Sequence, residues 1–311
     1  MRVLFEIPTW IGDVVMITPA LDNFFVNFPM AEVTLLGSKT ALEVLSFNKK
    51  ISSVIVLESG LRKNFKLIKQ IDNHDYYVSF RNSLRSKILF FFTKKSPKHF
   101  FNSKDYKNLH QVEKYNQFLL NIFKFKNKPG KLNLYKSVRK KKDFPLKIGI
   151  SPGASYGSAK QWGFEKFTDF ILQNREVGFF YIFGGAGEIS LCNQMEKELR
   201  KRKVNNFINL AGKTTVRELV SNISDLSLFV TGDSGPMHIA AAFQVPTVAI
   251  FGSTIPGETS QWLNDKNKIV KLNLDCQPCM KRVCPLGHHN CMKMISSEMV
   301  AREVKKLISL N

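Results

Sequence analysis

In Val230-Thr231-Gly232-Asp233-Ser234-Gly235-Pro236-Met237-His238-Ile239-Ala240-Ala241-Ala242, a β-branched apolar run ends in an acid and a hydroxyl flanked by glycines. A helix then opens, with Pro236 in its first turn and His238 close behind. Strand, polar loop and helix in that order form the repeating unit of a parallel α/β sheet, and the loop lies on the sheet's ligand-binding edge. The same alternation extends outward from this segment. Short apolar runs recur at Val3 to Ile7, Val33 to Leu36, Val54 to Leu57 and Tyr76 to Phe80, and again at Lys147 to Ser151, Val177 to Phe183, Leu228 to Thr231 and Thr247 to Phe251. Stretches of helical period separate them, so the chain predicts parallel sheets.

The two series are divided by Lys124 to Pro145, a Lys-rich stretch punctuated by Pro and Gly that contains Arg139-Lys140-Lys141-Lys142. It reads as a solvated linker, with a boundary near residue 140 and domains of 1–143 and 144–311. A chain of 311 residues, 44% hydrophobic, is long enough for two such cores. Each half opens with a strand running into a Pro- and Gly-containing loop and then a helix, which predicts two Rossmann-like domains facing each other across a cleft.

Forty-six Lys and Arg against 25 Asp and Glu give a formal charge of +21, and residues 62–147 hold 23 of those bases but only five acids. The charge points to an anionic partner: nucleic acid, an acidic membrane face or a phosphorylated small molecule. A merely solvated basic face is the alternative. The opening Met1-Arg2-Val3-Leu4-Phe5-Glu6-Ile7-Pro8 is too short and too charged for a secretory h-region. No apolar run approaches the roughly 18 residues of a spanning helix. Five cysteines suit a reducing compartment, and the chain reads as cytoplasmic.

Three loops carry chemistry. Asp13 follows Ile7-Pro8-Thr9-Trp10-Ile11-Gly12 and precedes the apolar run Val14, Val15, Ile17, Leu21. It serves either as a plain helix N-cap, which spacing alone favours, or as a carboxylate on the ligand edge. The second loop is Ser151-Pro152-Gly153-Ala154-Ser155-Tyr156-Gly157-Ser158-Ala159-Lys160-Gln161-Trp162, whose small residues admit a phosphate to backbone N–H groups while Lys160 adds a mobile charge. It is not a Walker A loop, because Ser158 and Ala159 stand where Lys-Ser/Thr would follow the second glycine. Phe183-Gly184-Gly185-Ala186-Gly187-Glu188 lacks the third glycine of a dinucleotide fingerprint, with Ser190 in its place. The third loop is the Asp233 to His238 segment, built to hold a polar, phosphorylated ligand; a turn capped by Asp233 is its structural alternative.

Gly12-Asp13, the Pro-Gly-Ala…Lys160-x-Trp162 loop and Thr-Gly-Asp-Ser-Gly-Pro-Met-His at 231–238, followed by Ala-Ala and Val-Pro-Thr, resemble the ADP-heptose:lipopolysaccharide heptosyltransferases over nearly the whole chain. The segment Cys276-Gln-Pro-Cys279-Met-Lys-Arg-Val-Cys284-Pro-Leu-Gly-His288-His289-Asn-Cys291 resembles the heptosyltransferase II branch in particular. The resemblance implies a GT-B fold, with an acceptor-binding first domain and a donor-binding second domain. The C-terminal helix is a candidate to pack back on the first. It implies inverting transfer of heptose from ADP-heptose to the first heptose of the inner core, on the cytoplasmic face of the inner membrane, without cofactor or metal. By resemblance Asp13 is the general base and Lys160 meets the diphosphate. Asp233, Ser234, Gly235, Pro236, Met237 and His238 grip the donor, and Glu188 and Thr214 contact its nucleoside and ribose. Ser155 and Tyr156 stand where the family has a pair of hydroxyl residues.

Four cysteines spaced C-x2-C-x4-C-x6-C, with His288 and His289 among them, match the ligand count of tetrahedral zinc. A compact loop of reduced thiols that orders Lys281 and Arg282 for an anionic acceptor is the alternative reading, and no metal is assigned. Cys192, in a helical run, reads as a buried thiol. The rival from another class is a basic nucleic-acid-binding protein, but no zinc-finger, RRM or helix-turn-helix pattern occurs. The anionic partners expected are therefore ADP-heptose, a phosphorylated Kdo/heptose-lipid A acceptor and the anionic membrane surface, not nucleic acid.

Overall fold

The computed structural model describes residues 1–58, 60, 67, 71, 73–93, 96–136 and 145–309. The basic run 139–142 and the expected boundary at 143/144 lie outside these residues. The chain divides into two compact units, Met1–Lys136 and Ser137–Asn311.

The first unit runs β1 (Arg2–Glu6), α1 (Ile11–Met16), α2 (Thr18–Asn27), β2 (Glu32–Gly37), α3 (Lys39–Val44), β3 (Ser53–Val56), β4 (Tyr76–Ser79), α4 (Leu84–Phe91), β5 (Lys98–Phe100) and α5 (Gln111–Phe123). Its sheet is ordered β3-β2-β1-β4-β5, and every pairing is parallel. The second unit continues with β6 (Leu146–Ser151), α6 (Phe164–Gln173), β7 (Gly178–Ile182), α7 (Ile189–Lys201), β8 (Phe207–Asn209), α8 (Val216–Ser224), β9 (Leu228–Gly232), α9 (Gly235–Ala242), β10 (Thr247–Ile250), α10 (Pro256–Thr259), β11 (Asn267–Val270), α11 (Asn290–Lys293) and α12 (Ser297–Ile308). Its sheet is ordered β11-β10-β9-β6-β7-β8, again parallel throughout. Counted from its own first strand, each sheet shows the Rossmann order, in which winding reverses between the first and fourth strands. The reversal falls between β1 and β4 in one unit and between β6 and β9 in the other.

The central strands of each sheet are buried on both faces, which is why they are near-continuous apolar runs. Leu4, Leu36, Tyr77 and Phe90 anchor one core, while Ile148, Ile150, Phe180 and Val230 anchor another. Phe5 meets Phe24 edge-on at 5.1 Å and Phe24 meets Phe123 at 4.9 Å, fastening α2 and α5 to β1. Such pairs contribute about 0.5–1.5 kcal/mol beyond their burial. α12 lays Val300, Val304 and Leu307 in the core of the second unit.

The stretch after Lys124 is not a solvated linker at its beginning. Phe125, Leu132 and Leu134 are buried. Asn23 Nδ2 donates to the Lys128 carbonyl at 3.0 Å, the Asn133 N–H donates to Thr18 Oγ1 at 3.1 Å, and the Tyr135 hydroxyl donates to Asp22. The apolar residues spaced among the lysines let this segment run back along α2, burying its few hydrophobic side chains and leaving its charges in water. No helix among the described residues is long and apolar enough to cross a membrane.

Candidate active site

β6 and β9 are paired neighbours, Ile150 opposite Val230, so the loops leaving their carboxyl ends emerge side by side at the reversal point. That topology brings together two residues 73 positions apart: Lys160 Nζ lies 2.5 Å from Asp233 Oδ2. Thr254 Oγ1 donates to the same oxygen at 2.7 Å and Thr259 Oγ1 at 3.4 Å. The Lys160 and Asp233 side chains are only 11% and 4% exposed, so the pair is stripped of most of its water. One ammonium and two hydroxyls thus converge on a single carboxylate oxygen. Asp233 is therefore not the helix cap: Ser234 occupies the N-cap position of α9, without a side-chain cap bond. Nor is Lys160 mobile, because Asp233 and the Tyr156 ring, 4.6 Å from its Nζ, clasp it. Just beyond it Trp162 anchors the loop, its indole N–H donating to the Ile295 carbonyl at 2.9 Å.

Tyr156 is the platform of this site. Arg282 stacks on the same ring at 5.3 Å, and the Tyr156 hydroxyl donates to the Met280 carbonyl at 3.2 Å. The Ala159 N–H donates to the Arg282 carbonyl at 3.0 Å, and a Cβ on Gly157 would stand 2.3 Å from that same oxygen. Only glycine allows so close a backbone approach. Arg282, expected to serve the acceptor, thus sits among the residues expected to hold the donor, while Lys281 beside it is exposed. The segment behind them gathers Cys276, Cys279, Cys284 and Cys291 around one pocket with His288 and His289. None of the four is in a disulfide. Backbone N–H groups, that of His289 foremost, lower the Cys284 thiol, whereas burial raises Cys291. Among the described residues no group of three such side chains is arranged to hold a metal ion.

Glu188 closes the far side of the loop. Its Oε1 accepts from Ser155 Oγ at 3.2 Å and its Oε2 from the Gly185 N–H at 2.6 Å. A Cβ on Gly153 would stand 2.2 Å from Glu188 Cγ. Thr214 is half-buried, one residue before the N-cap of α8. Its turn reaches Glu188's neighbours through the Gly212 N–H, which donates to the Gly184 carbonyl at 2.9 Å. Ser234 Oγ lies 3.1 Å from Thr231 Oγ1, and Gly235 and Pro236 are half-exposed at the start of α9. His238 is nearly buried, and Met237 packs with Ala249 and Phe251 in the core, so the Met237 side chain supports the loop from behind.

Asp13 belongs to the first unit. The helix starts at Ile11 with Trp10 as N-cap, so Asp13 is third in α1 and not the cap. The Tyr115 hydroxyl donates to Asp13 Oδ1 at 3.0 Å. Tyr115 comes from α5, which a capping box between His110 and Glu113 starts firmly. Burial first, and then the Asp13 charge, push the Tyr115 phenol well above its ordinary pKa, so it stays a donor. Beneath the same edge Glu6 is wholly buried, accepting from Ser79 Oγ at 2.6 Å and Ser86 Oγ at 2.9 Å, with Arg81 at 3.8 Å. Tyr115, Thr254 and Thr259 have no motif around them, and only a three-dimensional pairing identifies them.

The sheet order and the loops can be set beside known proteins. A "Lipooligosaccharide heptosyltransferase 2" of Campylobacter jejuni is 37% identical over 319 residues, covering 99% of this chain and 98% of that protein. The solved structure of E. coli ADP-heptose lps heptosyltransferase II superposes with a TM-score of 0.81 at 22% identity, covering 100% of this chain and 99% of the other. E. coli heptosyltransferase WaaC with ADP gives 0.75 at 14% identity, covering 99% and 100%. These structures share the GT-B fold. The model of glycosyltransferase family 9 (heptosyltransferase) matches residues 64–290, which include both the Lys160 loop and Asp233. With two Rossmann sheets and a Lys160–Asp233 clasp at the reversal of the second, this chain belongs to glycosyltransferase family 9, the heptosyltransferases.

Proposed function

We propose that this glycosyltransferase moves L-glycero-D-manno-heptose from ADP-heptose to the first heptose of the lipopolysaccharide or lipooligosaccharide inner core, with inversion at the anomeric carbon. The observation that carries this reading is the end-to-end similarity to a protein named lipooligosaccharide heptosyltransferase 2. The residues suit the chemistry. The acceptor oxygen attacks the anomeric carbon, the bond from that carbon to the diphosphate oxygen breaks, and ADP leaves with the bonding electrons. The acceptor proton passes to Asp13, a carboxylate steadied by Tyr115. Lys160 offsets the charge that develops on the leaving diphosphate, and the N–H groups opening α9 share that task. A single displacement inverts the centre.

In this reading the second unit holds the donor: Ser155, Tyr156, Lys160 and the Asp233 to His238 loop face the diphosphate and sugar, and Glu188 and Thr214 the nucleoside. The first unit binds the acceptor, a phosphorylated, carboxylate-bearing core on lipid A; Lys281 and Arg282, which belong to the second unit, are assigned in this reading to the acceptor's anionic groups. The enzyme works at the cytoplasmic face of an anionic membrane and needs neither cofactor nor metal. Incubation with ADP-heptose and defined core-truncated acceptors, read by product mass, tests the proposal. Gain of one heptose on an acceptor ending in a single heptose is the expected result. Transfer only to another core position would assign it to a sister activity.

A further inference from the structure

Helix α4 presents an unusual outer face. Its buried side is regular, with Ser86, Leu89 and Phe90 turned into the first unit. At i, i+4, i+7 and i+8 on the opposite side come Leu84, Ile88, Phe91 and Phe92. Leu84 is 74% exposed, Phe91 77% and Phe92 51%, and the two phenyl rings pack edge-to-face at 5.3 Å. A folded chain rarely leaves two adjacent aromatic rings and a leucine in water unless something covers them. Exposed Lys87 stands on the same face. In the sequence around the helix, no acid occurs between Asp75 and Asp105, while Arg81, Arg85, Lys87, Lys94, Lys95, Lys98 and Lys104 all fall there.

We infer that this face of α4 is a membrane-docking element, lying in the headgroup layer of an anionic bilayer with Leu84, Phe91 and Phe92 in the acyl boundary. Aromatic and aliphatic side chains ringed by lysine and arginine are what such interfacial helices carry. Each basic residue near an anionic leaflet adds to the attraction. A second copy of the chain fits poorly. The helix is only about 12 Å long at 1.5 Å per residue. A stable protein interface needs roughly 800 Å² per partner, and two such basic faces repel each other.

The inference rests on the proposed lipid-anchored acceptor, and it gives that proposal a mechanical sense. The inner face of α4 is fastened to β1, because Ser86 Oγ donates to the buried Glu6 carboxylate at 2.9 Å. β1 is the strand whose loop leads to Asp13. A bilayer gripping α4 therefore also sets the orientation of the edge that bears Asp13.

The test is sedimentation with phosphatidylcholine vesicles, with and without phosphatidylglycerol. The native chain is expected to bind the anionic vesicles and not the neutral ones. Phe91→Ser/Phe92→Ser should lower partitioning at least tenfold and Lys87→Glu severalfold, with ADP affinity and circular dichroism unchanged. In Phe91→Trp the indole emission should shift to the blue when anionic vesicles are added. Equal binding by the serine variant, no binding by the native chain, or a native dimer that the serine variant splits would each overturn the inference. A water-soluble deacylated acceptor separates it from the functional reading: the serine variant should turn this substrate over like the native enzyme. Vesicle binding without any transfer would uphold docking and reject the function.

Discussion

The hydroxyl of Tyr115 donates to Asp13 Oδ1 across 3.0 Å, tying α5 to the first helix of the chain. The phenol is almost wholly buried, and its ionisation is suppressed by that burial and by the Asp13 charge. It therefore donates throughout the physiological range. A carboxylate that loses one rotational freedom in this way is better placed to receive a proton from a bound hydroxyl.

Asp13→Asn keeps the shape and removes the base. Turnover is expected to fall at least about a hundredfold, the ordinary scale of a general base, with ADP affinity unchanged. Steady-state kinetics beside calorimetry with ADP decide it, and a loss below about tenfold would reduce Asp13 to a helix residue.

Tyr115→Phe removes only the donated hydrogen bond. Because that bond favours the ionised carboxyl, its loss should move the acid side of the activity profile to higher pH. The acid limb of the kcat/KM profile reads this shift. A purely structural tyrosine would change stability and leave the limb in place.

Lys160→Ala should weaken ADP binding by about 1.5–3 kcal/mol, the worth of a charge-assisted hydrogen bond. It also leaves Asp233, whose side chain is 4% exposed, without its cation. Breaking a buried pair from one side costs about 3–5 kcal/mol of stability. Lys160→Ala/Asp233→Ala should therefore melt higher than Lys160→Ala alone while binding ADP no better.

Gly157→Ala forces a methyl to within 2.3 Å of the Arg282 carbonyl, a backbone atom that cannot step aside cheaply. The expected result is a lower melting temperature and a loss of ADP affinity of about fivefold or more, since the Tyr156 platform moves with the loop. Gly130→Ala, with nothing within 4 Å of its added Cβ, is the matched control and should stay within about 0.5 kcal/mol of the native chain.

Alkylation should separate the cysteines. Backbone N–H groups lower the Cys284 thiol, so its thiolate fraction at neutral pH is enlarged. Burial drives Cys192 up to about 12, with Glu188 adding to it. Mass-resolved iodoacetamide labelling is expected to modify Cys284 first and Cys192 only after unfolding.

The parallel sheets were legible from apolar periodicity because strands buried on both faces need little but apolar residues. β1, β6 and β9 appear within a residue or two of where that pattern places them. β5, β8 and β11 are not legible in this way: each is only three or four residues long, and β5 and β11 are part-exposed and set Lys98-His99 or Asn267-Lys268 beside their apolar positions. In the site, the Gly-rich loops and their charged residues stood out by composition. The pairing of Lys160 with Asp233 did not, because it depends on which strands are neighbours, and no local pattern encodes that. The same holds for Tyr115, which reads in sequence as one more apolar position of an amphipathic helix. Solvation also misled: the lysines after residue 124 hide Leu132 and Leu134, whose burial turns a linker into part of a domain.

The two sheets keep separate apolar cores, one around Tyr77 and Phe90 and the other around Phe180 and Val230. Cooperativity in unfolding belongs to a shared core, so units with cores of their own are expected to melt in separate steps of heat uptake. Ligand held by one core's loops raises only that step, by RT ln(1 + [L]/Kd). A calorimetric trace of this protein in rising ADP should thus pull apart into a fixed endotherm and a moving one, and the moving one names the half of the molecule that holds the nucleotide.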